Sequence, residues 1–142
     1  IGVKPYTIEG TLSSDKLMEV AGNNYLFKIG KIIGAQKNLY NKEERVSNIE
    51  LPYLYTLNKT ITFKIPEGYE IKNLDKLNLF ATDSLKTLSF KSSYTINENE
   101  VTVSLEERYN KISYNKSYYS EFRKVINTSA DFNKVTLVLE KI

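Results

Sequence analysis

The chain has 142 residues, the size of one globular domain, of which 41% are hydrophobic and 26% are charged. It contains neither cysteine nor histidine, which excludes cysteine–histidine and serine–histidine catalysis on this chain together with the commonest zinc ligands. The net charge of +3 is too small to indicate nucleic-acid binding, and no apolar run reaches the roughly 20 residues of a membrane span.

The N-terminal part of the chain reads as short strands joined by turns. Strands are predicted over residues 6–8, around Leu12 and over residues 17–20. Gly10 and the Ala-Gly-Asn-Asn sequence at 21–24 supply the breaks between them.

The next strand is predicted over residues 25–29, because its apolar side chains alternate. The side chains that share one face are Tyr25, Phe27 and Ile29. Residues 30–40 fit either a buried strand or one short helical turn, and the sequence leaves both open. Gly30 and Gly34 are read as sites of a bend or bulge, since no phosphate-loop Gly-Lys-Ser/Thr follows them.

A clear strand pattern begins at residue 60, where apolar and polar side chains alternate. The apolar face consists of Ile61, Phe63 and Ile65. The Pro-Glu-Gly sequence at 66–68 ends this strand, and Tyr69 and Ile71 begin the next. Residues 74–77 then lead into a further strand at 79–80.

A hairpin is the most specific local prediction. Its first strand carries Leu88, Phe90, Tyr94 and Ile96 on one face, with Ser92 as a weak point between them. The polar residues 97–100 form the turn, and the second strand returns through Val101, Val103 and Leu105.

The period changes to that of a helix near the C-terminus. The apolar stripe is made of Tyr118, Phe122, Val125 and Ile126, and Asn115 or Ser117 is the predicted N-cap. A final strand follows with Val135, Leu137 and Leu139 on one face, and it is expected to pair inside a sheet.

Together these elements predict a single mainly β domain over residues 1–142. The expected architecture is a two-layer antiparallel β-sandwich-like domain with one C-terminal helix preceding the last strand. The first residue is Ile rather than Met, from which we expect a fragment of a longer chain.

The concentrated acidic residues lie at 43–44, at 106–107 and in the 97–100 turn. Adjacent strand residues point to opposite faces, so Glu106 and Glu107 are not expected to act on one substrate. A glycosidase needs two carboxylates about 5–10 Å apart, and the spacing of a calcium-binding EF-hand loop is absent. We therefore interpret these acids, and the basic residues within 28–45, as solvated surface charges, and predict no catalytic residue, cofactor or metal site.

Tyrosine is unusually frequent, with 11 residues and no tryptophan. Tyr53 and Tyr55 are separated by one residue, which places both rings on one face of a strand. Such a face suits a glycan or a protein partner, because the ring offers a large contact area at a low entropy cost. Simple packing on a pleated sheet is the competing interpretation.

Four segments carry a resemblance that extends from about residue 7 to the end. They are Tyr-Leu-Phe-Lys-Ile-Gly-Lys-Ile-Ile-Gly-Ala-Gln-Lys-Asn-Leu-Tyr at 25–40, Ile-Pro-Glu-Gly-Tyr at 65–69, Tyr-Ser-Glu-Phe-Arg-Lys-Val-Ile-Asn at 119–127, and Asp-Phe-Asn-Lys at 131–134. The chain thereby resembles the C-terminal β-rich domain, of unknown function, of bacterial transglutaminase-like multidomain proteins. The resemblance implies an upstream β-sandwich domain and a papain-like core with a Cys–His–Asp triad, and no triad residue maps onto this chain.

The resulting expectation is a non-catalytic accessory domain that packs on, or presents substrate to, an upstream catalytic core of the same polypeptide. The family resemblance further implies an extracytoplasmic location in the periplasm or cell envelope. The alternative is a glycan- or protein-binding module that uses a face containing Tyr53 and Tyr55. A third hypothesis, a stand-alone carboxylate enzyme, would require a closed pocket with two facing acids.

Overall fold

The chain folds into antiparallel strands followed by one α-helix and a last strand. This confirms the predicted fold class. The structure is a computed structural model that describes residues 7–41 and 43–142. The strands are β1 (Met18–Ala21), β2 (Asn24–Phe27), β3 (Ile49–Glu50), β4 (Tyr55–Lys64), β5 (Tyr69–Ile71), β6 (Leu79–Thr82), β7 (Leu88–Asn97), β8 (Glu100–Tyr109), β9 (Ser113–Tyr114) and β10 (Leu137–Lys141). Helix α1 spans Tyr119–Phe132, and short 3₁₀ turns cover Ile29–Ile33, Leu74–Leu77 and Lys116–Tyr118.

Across residues 7–41 and 43–142, the strands form two four-stranded sheets and one two-stranded sheet. The large sheet has the order β4-β8-β7-β6, the second sheet has the order β1-β2-β10-β5, and β3 pairs with β9. Every pairing is antiparallel. No helix among the described residues is long and apolar enough to cross a lipid bilayer.

The hairpin between β7 and β8 confirms the prediction for residues 97–100. Asn97 pairs with Glu100, so that Glu98 and Asn99 alone form the connection. Glu98 has a φ of 56°, a left-handed conformation that such a tight turn requires and that side chains other than glycine adopt at a cost.

The second sheet and helix α1 cover the same inner face of the large sheet. Phe27 of β2 packs edge-on against Phe63 of β4, with ring centroids 5.2 Å apart. Phe132 of α1 lies 6.2 Å from Phe90 of β7. Both Phe63 and Phe90 belong to the face on which β8 presents Val101, so one continuous hydrophobic core joins the layers.

The predicted helix forms, and Asn115 caps the 3₁₀ turn that leads into it. The Asn115 side chain accepts a hydrogen bond of 3.0 Å from the Ser117 amide. Phe122 and Val125 are buried as the apolar stripe predicted. The last strand, β10, lies between β2 and β5, which confirms its expected place inside a sheet.

Two predictions at the N-terminal end are wrong. Ile8 and Leu12 lie in no strand and are 80% and 87% exposed, because no neighbouring strand pairs with this stretch. Residue 6, the start of the predicted strand at 6–8, lies outside the described residues. Ile29 does not continue β2 but begins a 3₁₀ turn, which answers the open question for residues 30–40 in favour of a short helical turn.

That turn is fixed by close contact with the end of helix α1. The Gly30 amide donates a hydrogen bond of 3.0 Å to the Val135 carbonyl. A Cβ atom on Gly30 would lie 2.2 Å from the Phe132 carbonyl oxygen, so only glycine allows the two backbones to approach this closely.

Candidate functional site

An open cleft of about 560 Å³ lies between helix α1, the β4–β8 part of the large sheet and the chain that connects the 3₁₀ turn to β4. Its lining combines apolar, tyrosine and charged side chains: Ile33, Ala35, Gln36, Lys37, Leu39, Arg45, Ile49, Leu51, Tyr55, Leu57, Lys59, Glu107, Tyr109, Phe122, Ile126 and Ser129. A volume of this size falls in the range of small-molecule and side-chain binding pockets.

The floor of the cleft follows from the register of β4 and β8. Tyr55 pairs with Tyr109, and Leu57 pairs with Glu107. Because directly paired residues point to the same side of a sheet, these four side chains lie on the inner face. The rings of Tyr55 and Tyr109 are stacked, with centroids 4.3 Å apart.

Glu107 is buried on this floor, which corrects the prediction that it is a solvated surface charge. Its carboxylate accepts a hydrogen bond of 3.2 Å from the Tyr109 hydroxyl and lies 3.8 Å from the Lys59 ammonium. Glu106, by contrast, points to the outer face and pairs with Arg108 at 2.9 Å. The two adjacent acids therefore lie on opposite faces, as predicted.

The alternation of buried and exposed side chains along β8 would have identified Glu107 as an inner-face residue from the sequence. Val101, Val103 and Leu105 are buried at every second position of β8, and the next residue in that series is Glu107. The predicted surface position of Glu43 and Glu44 is confirmed, since both are exposed.

Three tyrosines form a stack that runs from the solvent to the floor of the cleft. Tyr53 is 63% exposed, Tyr55 is half-buried and Tyr109 is buried. The ring centroids of Tyr53 and Tyr55 lie 5.3 Å apart in a tilted arrangement. Tyr53 lies in a bend that precedes β4, so the two rings meet through the bend rather than through regular strand spacing. Their role as a binding face stays a prediction.

Burial raises the pKa of the inner tyrosines. It raises the pKa of Tyr109 far above that of a free tyrosine, and the nearby Glu107 carboxylate raises it further. Burial also raises the pKa of the Tyr55 phenol. Both phenols therefore remain protonated at neutral pH, where they act as hydrogen-bond donors and apolar surfaces rather than as bases.

The wall of the cleft opposite the sheet is irregular chain held in place by polar side chains of helix α1. The Asn127 amide both accepts from the Leu39 N–H, at 2.6 Å, and donates to the Leu39 carbonyl, at 3.3 Å. Ser129 donates to the Gln36 side chain at 3.0 Å, and Arg123 donates to the Asn41 carbonyl at 3.0 Å. This wall thus keeps its shape without sheet pairing.

The cleft carries an excess of positive charge. Lys37, Arg45 and Lys59 line it against the single carboxylate of Glu107. The Arg45 guanidinium donates a hydrogen bond to the Ser47 carbonyl at 3.0 Å. Lys37 is exposed at the rim, and among the described residues no carboxylate lies within 4.0 Å of it.

The acidic groups of the described lining are few. The described lining holds one carboxylate, whereas glycoside hydrolysis needs two that face each other across the substrate. Across residues 7–41 and 43–142, no group of three acidic side chains lies close enough to hold a metal ion.

Residues 23–139 match a family model described as a domain of unknown function, DUF3858. No curated protein and no solved structure matches the chain.

Proposed function

Since the chain belongs to the DUF3858 family, whose function is unknown, we propose that it is a non-catalytic accessory domain. In this proposal the domain binds a protein segment in the cleft. It thereby packs on, or presents substrate to, a catalytic core of the same polypeptide. We assign that core to a transglutaminase-like or protease-like protein of the cell envelope, on the resemblance of residues 25–40, 65–69, 119–127 and 131–134.

The observation that carries the proposal is the tyrosine stack at the mouth of the cleft. Tyr53 offers an exposed ring, and Tyr55 and Tyr109 extend the same aromatic surface inward. Tyrosines of this kind supply much of the binding energy at protein interfaces, because their rings are large and rigid and their hydroxyls tolerate water.

The polar groups of the cleft support binding over catalysis. The Glu107 carboxylate accepts a hydrogen bond from Tyr109 and is paired with Lys59, so partners within the domain account for its charge. A buried carboxylate that is paired within the domain fits a site that recognises shape and polarity.

The test uses the proposed catalytic core of the same polypeptide, expressed separately. We expect the core to bind the chain in isothermal titration calorimetry, and the double variant Tyr53→Ala/Tyr55→Ala to weaken that binding by about tenfold or more, as losing two interface aromatics does. Phe80→Ala is the matched control, because Phe80 is 66% exposed on the outer face of the large sheet. Amidase or transfer activity of the purified chain alone, or unchanged binding by the tyrosine variant, would contradict the proposal.

A second candidate function is glycan binding at Tyr53. Its ring is 63% exposed, and an exposed tyrosine ring stacks well on a sugar. Titration with soluble cell-wall oligosaccharides, followed by NMR, would then perturb Tyr53 and its neighbour Tyr55, and Tyr53→Ala would abolish the effect. An unchanged spectrum at saturating oligosaccharide rejects this candidate.

A further inference from the structure

Strand β4 has a free edge beside the cleft. It spans Tyr55–Lys64, lies at the end of the large sheet and pairs only with β8. Among the described residues, no backbone group hydrogen-bonds to its other edge. Alternate residues of this strand therefore present unpaired amide and carbonyl groups at the free edge, which is a template for one further strand.

The usual protection of such an edge is weak in β4. Edge strands are commonly shielded by proline, by a bulge or by charged side chains, including charges that point inward. The ten residues of β4 include no proline, and their pairing with β8 is continuous. The central lysine, Lys59, is an inward-pointing charge of this kind, but its ammonium group already faces Glu107 and donates a hydrogen bond of 3.3 Å to the Ile33 carbonyl, so an added strand would not leave it unpaired.

The cleft and the free edge are continuous. Tyr55, Leu57 and Lys59 line the cleft and are alternate residues of β4. A strand added beside β4 would have the same period of two, so every second side chain of the added segment would point to the cleft side. Backbone hydrogen bonds would then supply affinity, and the cleft would select the side chains.

The charges of the cleft favour an acidic segment. Three basic residues face one carboxylate, and that carboxylate is compensated internally by Lys59 and Tyr109. This leaves Lys37 and Arg45 near the rim as the groups available to an incoming charge. A carboxylate on the added segment would be attracted here, and a lysine or arginine would be repelled.

We propose that β4 binds an extended acidic peptide segment by strand addition, with alternate side chains in the cleft and a carboxylate near Lys37. The inference rests on the proposed function and names the chemistry of the bound segment.

The probe is a fluorescent peptide of about nine residues, the length of an ordinary strand, in which valine and glutamate alternate. Two N-methylated forms block the hydrogen-bond donors of one peptide edge or of the other. We expect the unmethylated peptide to bind by fluorescence anisotropy, one methylated form to bind about tenfold or more weakly, and the other to retain its affinity. No binding of the unmethylated peptide, or equal binding by both methylated forms, overturns strand addition.

The charge requirement is tested with matched variants. Lys37→Glu is expected to weaken binding of the acidic peptide severalfold, and added salt to weaken it for the unmodified chain. Lys91→Glu is the control, because Lys91 is exposed on the outer face of the large sheet. Equal affinity for a valine–lysine peptide would overturn the acidic assignment.

Hydrogen exchange separates this inference from the proposed function. The acidic peptide should slow exchange at alternate amides of β4, those that face the free edge. If the upstream core binds the chain but leaves β4 exchange unchanged, strand addition is wrong while the accessory role survives. Concentration-dependent dimerisation of the chain in analytical ultracentrifugation, competing with the peptide, would assign the edge to a second copy and would also overturn the proposal.

Discussion

The Tyr109 hydroxyl donates a hydrogen bond of 3.2 Å to the Glu107 carboxylate, two residues away on the inner face of β8. Both side chains are buried, at 8% and 6% exposure. A buried carboxylate is costly unless it is hydrogen-bonded and paired. The tyrosine and Lys59 supply these partners, and together they allow an acidic residue to form part of the floor of the cleft.

Tyr109→Phe removes the hydroxyl that satisfies Glu107 while keeping the ring stacked on Tyr55. We expect a loss of about 1–3 kcal/mol in the free energy of unfolding, because a buried acceptor loses its donor. Equilibrium unfolding in urea measures this change. Tyr53→Phe is the control and should alter stability by less than about 0.5 kcal/mol, since its ring is exposed. Equal effects of the two variants would refute the role of the Tyr109 hydroxyl.

The domain is expected to lose stability at alkaline pH. Burial raises the pKa of Tyr55, Tyr109 and Tyr114 in the folded state, whereas unfolded tyrosines ionise at about pH 10. Above that pH the unfolded state holds fewer protons, so the free energy of unfolding falls as pH rises. The stabilisation is complete below about pH 10 and is lost as pH increases toward the folded-state values. Urea unfolding across this range, with tyrosinate absorbance as a second readout, should show a smaller pH slope for Tyr109→Phe.

Gly30→Ala is expected to destabilise the domain by about 1–3 kcal/mol or more, because a Cβ there would overlap backbone atoms that have little freedom to move. The Cβ would lie 2.2 Å from the Phe132 carbonyl oxygen and 2.7 Å from the Asn133 carbonyl carbon. Gly10→Ala is the matched control, since nothing lies within 4 Å of a Cβ at that position. Thermal unfolding measures both, and a Gly30→Ala melting temperature equal to that of the control would contradict the close approach.

Asn127→Ala is expected to loosen the wall of the cleft. The Asn127 side chain makes two hydrogen bonds with the backbone of Leu39, and their loss should cost about 1–2 kcal/mol. Amide exchange at Leu39 should accelerate, while exchange in the core of β8 stays unchanged. Asn127→Asp, which keeps an acceptor for the Leu39 N–H, should restore part of the protection. Leu39 exchange at the original rate in the alanine variant would show that packing alone holds the wall.

Glu98→Gly is expected to stabilise the hairpin modestly, by up to about 1 kcal/mol. Glu98 has a φ of 56°, which is costly for a residue with a side chain and not for glycine. The same substitution at Glu100, a paired residue of β8, should instead destabilise the sheet. Urea unfolding of both variants checks the opposite signs, and a loss of stability in both would contradict the strained turn.

Most of the secondary structure could be predicted from local sequence patterns. The hairpin over residues 97–100, the helix stripe with Phe122 and Val125, and the last strand all depend on side-chain period and turn chemistry, which neighbouring residues determine. The strand expected around Leu12 failed for the converse reason. A short apolar stretch has no stable pairing unless the fold places a partner strand beside it, and its own sequence does not specify one.

The sequence by itself determined the mainly β class, the hairpin over residues 97–100, the single C-terminal helix before the last strand, and the absence of cysteine and histidine from this chain. Only the tertiary structure decided that Glu107 is buried beside Tyr109 and Lys59, that Asn127 holds Leu39 across 88 residues of sequence separation, and that the edge of β4 opens beside the cleft. The physical reason is the sequence separation of the interacting residues. The side-chain period of a strand or helix depends on residues close together in the sequence. The cleft depends on contacts between distant segments, whose register is set only when the sheet and the helix pack.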